Sequence, residues 1–267
     1  MVPPVCMTTI FFMLRYLHID SFINCDKNDI INLSKGGERN LIILLSVAIA
    51  PGLALFSYFY LRNQISTEPS KSLFHTFIYG AILTFPILFI QHVFEFEDIF
   101  QSSFITNVLF TSALEEFFKW LILVMVIYQH IDFEDPYDGI LYGVSVSLGF
   151  ATVENILYLF TFGLDTAFLR ALLPVSSHAI FGVVMGYYLG RAKFAVSNSS
   201  KPLLFIALLA PLSLHMIYNG ILAIEGIWLY FMIPFMLFLW WLCLTKVKQA
   251  HLMTIQHFQT REEIRNL

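Results

Sequence analysis

Long apolar runs dominate this chain, and the polar residues that break them are of two kinds: clusters of charge between the runs, and isolated acids, amides and histidines inside them. A helix needs about 20 apolar residues to cross the roughly 30 Å of hydrocarbon in a bilayer. Seven runs meet that requirement: 41–61, 73–93, 103–130, 137–160, 167–190, 202–224 and 227–245. Inside lipid the backbone N–H and C=O groups must be satisfied within the segment, so each run is predicted to be helical. The expected fold is therefore all-α, a polytopic transmembrane helical bundle of about seven spans. Pro51, Pro86, Pro174, Pro211 and Pro234 fall inside spans, where neighbouring helices tolerate them as kinks.

The flanks break the pattern and set the domain plan: an N-terminal segment 1–40, a membrane domain 41–245, and a mixed-charge tail 246–267. Val5 to Leu14 is apolar but too short to span, and it lacks the basic start and cleavage site of a signal peptide. The polar stretch from Asn24 to Asn40 reads as a loop, and the tail as an amphipathic helix on the membrane surface. Within the spans, Gly139 and Gly143, then Gly182, Gly186 and Gly190, recur at four-residue spacing, the pattern that lets helices approach closely. Lys and Arg set orientation. Arg62, Lys71, Arg191, Lys193, Lys201, Lys246, Lys248, Arg261 and Arg265 share one side, against Arg15, Lys27, Lys35, Arg39 and Arg170 on the other. The bias predicts a cell-membrane protein with its C-terminus in the cytoplasm.

Composition sharpens this picture. Only 13% of residues are charged, against about 25% in soluble domains. The formal charge of -4 forms no basic stripe, which argues against nucleic acid as a partner. Cys6, Cys25 and Cys243 make no metal-binding spacing, and a Cys6–Cys25 disulfide requires an N-terminus outside the cytosol.

The residues that lipid should not tolerate carry the chemistry. The third span holds Glu115, Glu116 and Lys119, the fourth Glu154 and Asn155, the fifth His178, and the sixth His215 and Asn219. A charge at mid-span costs about 2.5–3.5 kcal/mol, so the three glutamates and the lysine, unpaired, would cost on the order of 10 kcal/mol, the stability of a whole domain. They must therefore meet one another or a water-filled cavity. Depth agrees: at 1.5 Å rise per residue, Glu115, Glu154, His178 and His215 lie about 19, 12, 17 and 14 Å from the same, non-cytoplasmic membrane face.

Each has a structural reading beside the catalytic one. Glu115 or Glu116 can form an ion pair with Lys119 at helical spacing. Glu154 can bond a neighbouring helix, and a lone His178 is more often an interior histidine than a ligand. Yet Lys119 neutralises one carboxylate and leaves a second beside it, which suits a general acid or base. His215 and Asn219, four apart, share a face that can hold a metal or donate to an oxyanion.

EEFFK at 115–119, DGILYGVSVSLGFATVEN at 138–155, SHAIFGVVMGYYLG at 177–190 and HMIYN at 215–219 follow in order on consecutive helices. Together they resemble the PrsW family of intramembrane proteases, which is distantly similar to the CAAX-prenyl protease and bacteriocin-processing superfamily. The resemblance covers about residues 105–220. It implies an intramembrane endopeptidase that makes the site-1 cleavage of a membrane-anchored, anti-sigma-factor-like protein substrate. The functional residues it implies are Glu115, Glu116, Glu154, His178 and His215, with Asn219 as helper. Two routes to the scissile carbonyl stay open. In the preferred one Glu154, His178 and His215 bind zinc, and Glu115 or Glu116 activates water. In the other, a metal-free glutamate protease uses His215 and Asn219 as an oxyanion hole. A proton-coupled transporter would use the same carboxylates, though no inverted repeat is evident. A haem protein with His178 and His215 as axial ligands is a further rival.

Overall fold

The computed structural model describes residues 27–63, 70–97, 99–102, 104–162, 169, 171–195 and 200–265, with the side chains of 27–40, 162 and 171 left aside. Its elements are α1 (Lys27–Arg62), α2 (Ser70–Phe96), α3 (Thr111–Ile122), α4 (Pro136–Phe162), α5 (Ser176–Lys193), α6 (Ser200–Leu222) and α7 (Trp228–Arg265). There is no strand among the described residues. Six of these helices are long and apolar enough to cross a membrane. The seventh, α3, is lengthened by π-helical stretches at Ile105–Phe110 and Leu123–Ile127, and three charges within 12 residues set it apart. The protein is a multi-pass integral membrane protein.

α4 and α5 form the centre of the bundle. In each, 78% of the most apolar stretch is buried inside the protein, against 11% in α1 and 22% in α6 and α7, which face outward. The glycines explain how two helices can be buried so completely. The ladders at Gly139 and Gly143 and at Gly182, Gly186 and Gly190 are the two halves of one contact. A Cβ on Gly143 would lie 3.0 Å from the Cα of Gly186, and one on Gly139 would lie 2.8 Å from the backbone nitrogen of Gly190. No side chain fits between these backbones. A second seam joins α2 to α4, where Gly80 meets the carbonyl of Val146 and Gly149 that of Phe77.

Two expectations need correction. The stretch up to Asn40 is helical from Lys27 onward, not a loop. The tail is not a separate surface helix, because α7 runs unbroken to Arg265. In both places polarity marks where lipid ends, not where the helix ends. A helix satisfies its own backbone on either side of the boundary. The tail also packs inward: Val247, Ala250 and Thr254 are buried at helical spacing. Thr254 donates to Asp135 (2.8 Å), and His251 stacks on Tyr137 at 4.1 Å. These contacts clamp the start of α4, at the opposite end of that helix from Glu154. Val5 to Leu14, Cys6 and Cys25 lie outside the described residues; Cys243 is a buried free thiol.

Candidate active site

α3 is inside out by the standards of a water-soluble helix. Its buried residues are Ser112, Glu115, Glu116 and Lys119, while Phe117 is exposed. The spacing of three and four residues puts the polar set on one stripe. In lipid this is the stable arrangement, because the apolar face meets hydrocarbon and the charged stripe meets partners.

Those partners come from four other helices. Lys119 Nζ lies 2.8 Å from Glu116 Oε1 and 3.7 Å from Glu115 Oε2, so one ammonium serves both acids. It also lies 3.2 Å from His178 Nδ1 on α5. An ammonium can only donate, so this nitrogen accepts, and the proton of the His178 ring sits on Nε2. Nε2 faces Glu154 Oε2 of α4 at 3.1 Å. The two neighbours thus select a single tautomer and aim the Nδ1 lone pair at the α3 charges. From α6, His215 Nδ1 lies 3.0 Å from Glu116 Oε1. From α2, the Gln91 amide donates to Glu115 Oε1 at 3.2 Å.

Aromatic rings wall the cluster. Lys119 Nζ sits 4.3 Å from the centre of the Phe150 ring, His215 stacks on Phe181 at 5.1 Å, and the two histidine rings meet edge to face at 5.2 Å. Glu116 and Lys119 are wholly buried, and Glu115, His178 and His215 nearly so. The remaining oxygens, Glu115 Oε2 and Glu116 Oε2, accept no hydrogen bond. Glu115 Oε2 has the Lys119 ammonium at ion-pair distance, and a buried carboxylate oxygen without a hydrogen bond, such as Glu116 Oε2, is a position that a cation or a water would stabilise.

Glu115, Glu116, His178 and His215 each bring one metal-ligating atom to within 4.8 Å of the others. Two carboxylates and two imidazoles suit a borderline ion such as zinc, and the donor set fits a divalent metal. The structure brings five of the six expected residues into one cluster. Glu154 reaches that cluster through His178 and stands on the far nitrogen of the ring. Asn219 stands apart: its amide donates to Ser112 Oγ at 2.9 Å and to the Asn107 carbonyl at 3.4 Å, tying α6 to α3.

Two contributors escaped the sequence reading. Ser112 lies three residues before Glu115 on the same stripe, so its position was readable in principle. Gln91 had the weaker signal of a single amide near the end of an apolar run, and nothing in the chain links it to Glu115.

A family model described as PrsW family intramembrane metalloprotease matches residues 68–243. The protein named Protease PrsW of Bacillus subtilis (strain 168) is 49% identical over 210 residues, which cover 79% of this chain and 96% of the relative. That of Geobacillus kaustophilus (strain HTA426) is 50% identical over 207 residues, 78% of this chain and 92% of the relative. That of Clostridioides difficile (strain 630) is 32% identical over 215 residues, 77% and 90% of the two chains. No solved structure matches.

Proposed function

We propose, since the chain belongs to the PrsW family of intramembrane metalloproteases, that this protease cleaves a membrane-anchored protein substrate using water activated by the Glu115–Glu116 pair. One observation carries the mechanism: ligating atoms of Glu115, Glu116, His178 and His215 converge within 4.8 Å in a buried site on three helices. Amide hydrolysis needs an activated water, a polarised carbonyl and a protonated leaving amine. One carboxylate takes the proton of the water and passes it to the amine; the other stays ionised. His178 and His215 would be the nitrogen ligands for zinc, with a carboxylate from the same four residues completing the set. Zinc held there would supply Lewis-acid polarisation of the scissile carbonyl. Glu154 holds His178 in the ligating tautomer, the part that carboxylates behind metal-bound histidines commonly play. Gln91 orients Glu115, and Asn219 holds α3 against α6.

The substrate we infer is a protein delivered by its own membrane anchor, such as an anti-sigma-factor-like protein. A buried polar cluster among helices with apolar outer faces supports that reading. The loop charges support a cell-membrane protein with its C-terminus in the cytoplasm. Impermeant thiol labelling in intact cells of Ser197→Cys, in a chain whose Cys6 and Cys25 are replaced by serine, tests that orientation, and ready labelling would reverse it. For the chemistry, Glu115→Gln and Glu116→Gln should each lower cleavage of a reporter substrate by about 10²–10⁴-fold in folded protein. Near-normal turnover in both would remove the glutamate mechanism.

A further inference from the structure

Lys119 stands among the donors that a metal ion would use. Its ammonium is 2.8 Å from Glu116 Oε1, 3.2 Å from His178 Nδ1 and 3.7 Å from Glu115 Oε2. These residues are three of the four whose donors converge. The contacts are those of an ammonium: Glu116 Oε1 and His178 Nδ1 stand at 2.8 and 3.2 Å from it, hydrogen-bond lengths. Zinc takes oxygen and nitrogen at about 2.0–2.2 Å, so loading it would draw these donors inward. Two cations cannot share a cage of this size, since they compete for the same lone pairs and repel at contact distance. The lysine is also wholly buried, against the face of Phe150, so it has no water-exposed position to rest in while still neutralising the pair.

We propose that Lys119 is an internal counter-ion that occupies the metal position in the metal-free protein, so that loading the site exchanges one cation for another. This rests on the metal-dependent reading above. Such a counter-ion lets two adjacent carboxylates fold inside a membrane before any metal arrives. It also makes metal affinity a property of the lysine as much as of the ligands. Once displaced, the ammonium remains tethered one turn from both glutamates.

The test is zinc affinity of the full-length protein in detergent, read by competition with a chromophoric chelator, in wild type, Lys119→Met and Lys119→Arg. Lys119→Met removes the competitor and should bind zinc about tenfold tighter or more. Its unfolding midpoint should also fall further than that of wild type when chelator is added. Lys119→Arg keeps the charge, and therefore the fold, but offers carboxylates a planar two-pronged donor that is harder to dislodge. It should bind zinc about tenfold more weakly. Unchanged or weaker binding in Lys119→Met, or equal binding in Lys119→Arg, overturns the exchange while leaving the metal mechanism standing. Zinc held by Lys119→Met and refused by wild type supports the exchange and removes zinc from the wild-type mechanism. Zinc refused by all three removes both.

Discussion

Along the glycine seam of α4 and α5 the backbones meet directly; where α3 meets its neighbours, charged and hydrogen-bonded groups lie between them. The first contact is a dry seam of five glycines, held by dispersion between atoms in direct contact. The second runs through Gln91 to Glu115, His215 to Glu116, Asn219 to Ser112, and the Trp120 indole to the Leu204 carbonyl at 3.0 Å. Lipid offers no hydrophobic force to drive helices together, so each contact must find attraction of its own. The glycine seam can do one thing only, which is to stay closed. The polar contact can trade partners, because a carboxylate that accepts from a lysine can accept from a water or a metal instead. The chemistry proposed for this protein sits on the tradeable side, and His178 links the two: it grows from the seam helix and reaches the charges of α3. The π-helical stretches at both ends of α3 fit the same division, since such departures recur at functional sites.

The comparison breaks most completely at that link. His178→Ala should lower cleavage by at least about 10²-fold and reduce bound zinc in parallel, with folding preserved by the intact glycine seam. Metal analysis and a cleavage assay on the same preparation check this, and full zinc with lost activity would place His178 outside the ligand set. Next comes the seam itself. Gly143→Leu drives a side chain into the backbone of α5 and should destabilise the protein by about 1–3 kcal/mol. Thermal unfolding in detergent measures it, and an unshifted midpoint would mean that α4 and α5 do not pack this closely. The smallest effect tests whether the Asn219 amide is truly committed to α3. Ser112→Ala removes its nearer acceptor and should cost about 0.5–1.5 kcal/mol of stability with turnover within about twofold of wild type. A loss of about 10²-fold in turnover for Asn219→Ala, with Ser112→Ala neutral, would return that amide to the oxyanion role.

Much of this was legible in one dimension. The apolar runs marked the helices, the misplaced acids and histidines marked the buried cluster, and four-residue glycine spacing marked a close contact before its two sides were known to face each other. Glu115, Glu116 and Lys119 declared themselves because no lipid-facing arrangement of them is affordable. The ends of α1 and α7 were misread because hydropathy reports the solvent around a residue and says nothing of the backbone, which stays helical through the interface.

Pairing was the part that needed three dimensions. Helical spacing allowed Lys119 to serve either glutamate; the packed bundle sets its ammonium closer to Glu116 and brings it within reach of His178. Glu154 was expected beside His178 and His215, and the packing of α4 on α5 sets its carboxylate on Nε2 of the His178 ring. Gln91 gained a partner 24 positions away, and Asn219 was drawn to Ser112. Transfer cost belongs to each residue and can be read position by position. A hydrogen bond of about 3 Å depends on the rotation and axial offset of two helices, and only their packing sets those.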